Sequence, residues 1–342
     1  MTVTTGEALR GYNTLALRAR AQAFANVHSE QELLAALACA RTLGLPVMPM
    51  GEGSNIVLAG DIQALVVRQS TRGIEVLERD VDCVRLRVAA GESWHDLVRW
   101  TLQQGYYGLE NLALIPGTAG AAPIQNIGAY GVELASSVQQ VHALRIADDQ
   151  RVVLSHQECE FGYRDSVFKH RLRDKVVITS IDLRLSLLPA VTVDYPALAQ
   201  YFAQHAISEV TPEAVFDAVV SIRRSKLPDP SVIPNAGSFF KNPVVGQAEA
   251  ERLRVAHPDL PNYPQPDGRV KLSAAWMIDQ CGWKGVRRDG LGVHAQHALV
   301  LVNYGSDSGE QLMVLANEIA ASVDTTFGVR LEIEPRVYGT GR

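Results

Sequence analysis

The sequence predicts an α+β protein of three domains, and three observations carry that expectation. At 342 residues the chain is too long for one small core. Its first 70 residues alternate helical and strand patterns, whereas the stretch beyond Gly73 is dominated by period-two strands. A sharp break follows at KLPDP, Lys226 to Pro230, after which helices and short strands mix with Pro-rich loops. The boundaries read as 1–70 for a small α/β unit, 71–222 for a β-rich unit and 223–342 for a second mixed unit.

In order along the chain, Ser29 to Glu32 forms a capping box that opens a helix through Leu33, Leu34 and Leu37, ending near Gly44. Pro46–Met50 and Ala64–Gln69 read as strands, separated by the turn GEGSN, Gly51 to Asn55. The alternation Val84-Arg85-Leu86-Arg87-Val88 is a half-buried strand. A helix over Ser93–Gln104 stops at Gly105, and strands follow at Val141–Ala147, Arg151–Ser155 and Lys175–Leu187. Thr211–Ser225 is helical, with Pro212 at its first position. Further helices are expected over Ala248–Ala256, Ser273–Cys281 and Ser308–Phe327, with strands over His297–Asn303 and Val329–Tyr338.

Composition narrows the function. Hydrophobic residues make up 47% and charged residues 20%, the balance of a soluble globular enzyme. A net charge of −5, with no long Lys/Arg block, argues against a nucleic-acid partner. No apolar run reaches membrane-span length, and the first residues lack a signal-peptide layout. Cys39, Cys83, Cys159 and Cys281 are widely spaced, which suits free thiols in a cytoplasmic protein rather than a disulfide scaffold or a metal site.

The most informative stretch is IPGTAGAAPIQNIGAYGVE, Ile115 to Glu133, with four glycines, four alanines, two prolines and one charge. Small side chains without charge suit backbone lying directly against a flat ligand; the competing reading is a tight internal packing loop. GEGSN is not a dinucleotide fingerprint, because the third glycine would fall at Ile56 and a strand pattern follows. It remains a turn whose bare amides can wrap a diphosphate. Two backbone-rich surfaces of this kind suit a ligand with a diphosphate waist and a planar ring, as in a flavin dinucleotide.

FGYRDSVFK, Phe161 to Lys169, sets Arg164 among aromatics, where a guanidinium either grips a carboxylate or stacks on Tyr163. NAGSFFKNP, Asn235 to Pro243, places the Ser238 hydroxyl in an apolar setting without the elbow of a hydrolase nucleophile. Glu332 and Glu334, two residues apart, share one strand face. His294 and His297 lack a third metal ligand and read as structural residues or substrate contacts.

These motifs, in this order and across nearly the whole chain from Asn13 to Arg336, resemble the UDP-N-acetylenolpyruvoylglucosamine reductases, in the type I form with an extra substrate-covering loop. NYPQPDG and AAWMIDQCGWKG belong to the same set. The resemblance implies two domains holding non-covalent FAD in a vanillyl-alcohol-oxidase-like (PCMH-type) unit, and a third that binds substrate. It puts the cofactor on Gly51, Glu52, Gly53, Ser54, Asn55, Pro116, Gly117, Thr118, Gly120, Gln125, Asn126, Gly128, Ala129 and Tyr130. It puts the UDP-sugar on Tyr195, Arg223, Lys226, Asn242, Tyr263, Lys271 and His297. Arg164 falls on the family's active-site arginine, Ser238 on its proton donor and Glu334 on its catalytic glutamate. Where the family has Leu-Glu-Pro-Glu-Val-Arg, this chain has Leu331-Glu332-Ile333-Glu334-Pro335-Arg336, so the choice of Glu334 over Glu332 rests on spacing from Tyr338 and Gly339.

The activity so implied is NADPH-dependent reduction of an enolpyruvyl sugar nucleotide in cell-wall precursor synthesis, by a cytoplasmic monomer without metal. An FAD-linked oxidase acting on an alcohol or lactone is the alternative within the same fold. A non-catalytic sugar-nucleotide-binding module is the alternative from another class.

Overall fold

The computed structural model describes residues 1–339. The chain divides into two compact units, each discontinuous in sequence: residues 1–7, 21–53 and 63–225 form the first, and residues 8–20, 54–62 and 226–342 the second.

The first unit holds two sheets. One has four strands in the order Val3–Ala8, Arg20–Val27, Ile62–Gln69, Val47–Met50, the last two parallel. Helix α1, Glu30–Leu43, covers it, burying Leu33 and Leu37 against Ala23, Ala25, Val27, Leu65 and Val67. The Ser29 side chain accepts the Glu32 N–H, and Gly44 closes the helix at φ 64°, so both expected termini are present. The second sheet is antiparallel, in the order Arg151–Ser155, Val138–Arg145, Val176–Ser186, Cys83–Ala89, Ile74–Arg79. Its inner face, with Val84, Leu86, Val88, Val141, Ile181 and Leu183, packs into a core shared with three helices. These are α2, Trp94–Gln103; α3, Pro196–Gln204; and α4, Pro212–Lys226.

The outer face of this sheet carries a buried polar cluster. Asp182 is fully buried and takes two 2.8 Å hydrogen bonds from Arg87 on the neighbouring strand. His142 lies 3.2 Å away on the other neighbour. Burial alone would raise the Asp182 carboxyl, but Arg87 and His142 overcome it and hold the group down at about 2.

In the second unit, the strands Asn235–Ser238, Val300–Asn303, Leu291–Val293 and Arg287–Arg288 form one sheet in that order. A smaller sheet runs Val244–Val245, Val270–Leu272, Asn262–Pro264. Helices α5, Gln247–Ala256; α6, Ala274–Gln280; and α7, Gly309–Phe327, complete it. Ile56–Leu58 pairs in parallel with Arg336–Tyr338. A β-carbon on Gly309 would fall 1.9 Å from the Leu58 carbonyl, so α7 begins where only glycine fits. Buried Asn13 grips Leu9 and Leu17 on either side of itself, whereas the Asn235 N–H on the Thr14 carbonyl and the Asn303 side chain on the Leu15 carbonyl join distant segments.

Two strands are shorter than the sequence pattern suggests. The stretch from His297 enters the sheet only at Val300, after a turn closed by the Val300 N–H on the His297 carbonyl. The final strand is Arg336–Tyr338, because Pro335 interrupts the Val329–Tyr338 run and has no N–H to pair. Among the described residues no helix is long and apolar enough to cross a membrane.

Candidate active site

In the first unit, the turn at Gly51 and the small-residue run lie against each other. A β-carbon on Gly51 would fall 2.5 Å from Thr118 Oγ1, and the Gly117 N–H donates to Glu52 Oε2 at 3.0 Å. The run is then laid along the start of α2: Trp94 N–H bonds Gly117 O, Ala119 N–H bonds Glu92 O, and Gly120 N–H bonds Ala90 O at 2.8 Å. Side chains are excluded along this line, since a β-carbon on Gly120 would meet Ala90 Cβ at 2.5 Å. Burial pushes the Glu52 carboxyl up, against the Gly117 N–H that favours its charge.

The middle of the run is held from within. Gln125 ends a 3-10 turn, and Asn126 follows it at φ 44°. The Asn126 amide reaches Glu133 and Gly162, while its oxygen accepts the Ala135 N–H. This side chain is therefore committed to the protein itself. Gly128 pairs with Glu133 and Ala129 with Val132, and Tyr130 turns the chain at φ 48°. Pro116 and Ile124 are exposed, leaving an apolar, uncharged surface between buried neighbours. That surface, with Gly117 at φ 118° and Gly131 at φ 86°, suits a planar ring lying on backbone.

Arg164 occupies the tip of a tight turn in which Gly162 and Asp165 exchange backbone bonds. Its φ of 53° is costly for a non-glycine residue. The guanidinium donates to the Gly128 carbonyl at 2.8 Å and lies 5.3 Å from the Tyr163 ring centre, so it both stacks and borders the run. Tyr195, at the start of α3, meets Tyr130 edge-on at 5.3 Å. Arg223 projects from α4 with its Nε buried and unpartnered among the described residues. Burial, then the nearby Arg164 charge, lower its pKa against the opposing pull of Tyr130. A desolvated guanidinium of this kind calls for an anion. Lys226 is exposed at the last residue of α4.

Ser54, Asn55, Ser238 and Glu334 lie in the second unit. Asn55 O accepts the Arg336 N–H, and Ser54 O accepts from Thr14 Oγ1 at 3.4 Å. Ser238 ends the strand Asn235–Ser238 and is half-buried, preceded by Gly237 at φ 68° and followed by the buried pair Phe239 and Phe240. The segment Glu332–Glu334 runs antiparallel beside Phe239–Lys241: Lys241 N–H bonds Glu332 O, and Glu334 N–H bonds Phe239 O at 2.9 Å. The two glutamates therefore share a face, as their spacing implies, but differ in setting. Glu332 is exposed and ion-paired with Lys241, whereas Glu334 is half-buried one residue from Ser238 across the ladder.

The remaining expected substrate contacts also lie in this unit. Tyr263 and Lys271 pair across the smaller sheet, with the ammonium 5.9 Å from the ring centre. Asn242 Oδ1 accepts the Ala274 N–H at the start of α6. His297 Nδ1 accepts from Leu299 N–H at 3.3 Å, and the neighbouring His294 is lowered by burial with its Nδ1 unpartnered among the described residues.

Two residues that sequence motifs do not single out touch the run or the residue leading into it. Asn111 donates 2.9 Å bonds to the carbonyls of Tyr130 and Thr192, and His95 accepts the Leu114 N–H at 3.0 Å. Asn111 sits inside GLENLALIPG and could be found by asking which polar group near the run is buried. His95 carries no such signal, because a histidine in the first turn of a helix reads as surface.

Residues 229–338 match the family described as "UDP-N-acetylenolpyruvoylglucosamine reductase, C-terminal domain", and residues 21–154 match an FAD binding domain. The chain is 48% identical to the UDP-N-acetylenolpyruvoylglucosamine reductase of Paraburkholderia phytofirmans, over 96% of each protein. It is 47% identical to that of Pseudomonas aeruginosa, over 96% of this chain and 97% of the relative. The crystal structure of UDP-N-acetylenolpyruvylglucosamine reductase from Thermus caldophilus shares the fold, with a TM-score of 0.65 at 23% identity over 98% of both chains.

Proposed function

The chain belongs to the UDP-N-acetylenolpyruvoylglucosamine reductase family, and from that premise we propose that it reduces UDP-N-acetylglucosamine enolpyruvate to UDP-N-acetylmuramate in the cytoplasm, with FAD as cofactor and NADPH as donor. The proposal keeps the three-domain division at residues 70 and 222, the first two domains holding FAD and the third the UDP-sugar. The residues of the 51–55 turn and of the 116–130 run would hold FAD, whose chemistry there would be to pass hydride from NADPH to the methylene carbon of the enolpyruvyl group. The chain's own residues manage the charge and the proton. Addition at the methylene drives the double-bond electrons towards the substrate carboxylate, where Arg164 and a protonated Glu334 stabilise them. Ser238 then delivers a proton to the adjacent carbon, completing the saturated lactyl ether. A hydroxyl is a weak acid, so this transfer works only because the carbon is strongly basic and close. Tyr195, Arg223, Lys226, Asn242, Tyr263, Lys271 and His297 hold the nucleotide sugar, the cations facing its diphosphate.

The observation that carries this reading is the ladder that sets Glu334 against Phe239, next to Ser238, while Lys241 engages Glu332. It supports Glu334 rather than Glu332 as the acid, because Glu332 is held by Lys241. The test is a pair of half-reactions followed by flavin absorbance. NADPH should bleach the flavin, and the enolpyruvyl substrate should restore it. In Ser238→Ala, bleaching should remain near the wild-type rate while recovery falls by roughly a hundred- to ten-thousand-fold. Equal loss of both half-reactions would remove the proton-donor role.

A further inference from the structure

His95, in the first turn of α2, lies between that helix and the entry to the small-residue run. Its Nδ1 accepts the Leu114 N–H at 3.0 Å, and its ring stacks on Phe216 of α4 with centres 5.6 Å apart and planes at 9°. Leu114 itself stands at φ 58°, a conformation that a leucine keeps only where neighbours fix it. Three residues later, Glu52 grips the Gly117 N–H. His95 is thus the side chain that fixes the residue leading into the run.

The proton on this imidazole can be placed. Arg99 brings a guanidinium nitrogen within 2.9 Å of Nε2, so donors face both ring nitrogens. A neutral imidazole carries one proton and has one bare nitrogen. The Leu114 N–H belongs to the backbone and cannot turn away, whereas the half-exposed Arg99 side chain can, with Asp96 3.4 Å away to receive it. Nδ1 is therefore the bare nitrogen and Nε2 carries the proton.

We infer that His95 is a positioning residue for the flavin, its uncharged Nδ1 fixing Leu114 and so setting the path of the Pro116–Tyr130 run. The inference rests on the reading that this run faces the flavin. Burial foremost, then Arg99, lower the pKa of this imidazole, with Arg224 and Arg223 of α4 adding to them and Asp96 opposing. The neutral form is thereby kept at neutral pH, and protonation in acid would replace the acceptor with a donor aimed at a donor.

The test compares His95→Leu, which removes the acceptor, with His95→Asn, whose Oδ1 occupies nearly the same place. FAD dissociation constants come from fluorescence titration, and backbone order from hydrogen exchange over residues 113–121. His95→Leu should weaken FAD about tenfold and speed exchange in that segment. His95→Asn should restore both. Wild-type FAD affinity should fall as pH drops through the region below 6.5, and His95→Asn should lack that step. Unchanged exchange in His95→Leu would overturn the inference. Faster exchange with unchanged FAD affinity would overturn it too, locating the failure in the run's placement by the flavin; the Ser238 half-reactions test the chemistry separately. Should His95→Leu fail to fold, the pH step decides: its persistence in His95→Asn would refute the role.

Discussion

Replacing Asp182 with Asn should cost the protein a measurable and pH-dependent part of its stability. The carboxylate is fully buried, bound bidentately by Arg87, and held at about 2. An unfolded aspartate titrates near 3.9, so the difference of roughly 1.9 units is worth about 2.5 kcal/mol at pH 7. The folded pKa lies below the unfolded one, so this contribution is complete above about pH 5 and lost as pH falls through 4 towards 2. At pH 3 about half should remain. Arg87 is 38% exposed, so once unpaired it can reach water. The loss in Asp182→Asn should therefore stay near about 2.5 kcal/mol, rather than the 3–5 kcal/mol typical of a stranded buried charge. Urea unfolding of both proteins at pH 7, 5, 4 and 3, followed by circular dichroism, measures the gap. A gap that is absent at pH 7, or as wide at pH 3 as at pH 7, would refute the reasoning. The strand carrying Asp182 also backs the site, since Thr179 on it accepts the N–H of Ala90, on which Gly120 rests.

Two further outcomes follow from close packing and from the glutamate ladder. Gly120→Ala forces a methyl group onto Ala90 and should destabilise the protein by about 1–3 kcal/mol, with weaker flavin retention; melting and flavin release on gel filtration report both. Glu332→Ala removes an exposed ion pair and should change stability by less than about 1 kcal/mol with turnover near wild type. Glu334→Gln should instead slow the recovery half-reaction at least tenfold, and the reverse pattern between these two variants would reassign the acid.

The parts of the fold legible in the sequence are those whose signals are local. Ser29 caps α1 as its spacing implies, α2 starts one residue inside the expected Ser93–Gln104 span, and Arg151–Ser155 is a strand with the expected limits. The strands Val3–Ala8 and Ile74–Arg79 are largely exposed, so neither carries a clear apolar alternation to read. Helix α3 is only nine residues long and follows a stretch, residues 187–194, that carries no helical period, which hides it. That residues 8–20 and 54–62 join the second unit depends on contacts with residues far along the chain, which no window of sequence contains. At the site, composition alone marks the Ile115–Glu133 run as backbone built for close approach. The roles proposed for Arg164, Ser238 and Glu334 rest on motif resemblance, because neither the ladder beside Phe239 nor the turn at Gly162 can be computed from spacing. His95 carries no sequence signal, because what marks it is one bond to a backbone amide.

The pairing of Ile56–Leu58 with Arg336–Tyr338, and of Leu15 with Asn303, has a bearing on how the molecule is made. At ribosomal rates of about 5–20 residues per second, these early segments wait on the order of 14–60 s for partners some 280 residues downstream. Residues 21–53 and 63–225 can meanwhile collapse around their own two sheets, since all their partners have already emerged. Assembly in the cell is thus ordered by chain direction: the half bearing the glycine-rich run is complete first, and the half bearing Ser238 closes only when the last strand arrives.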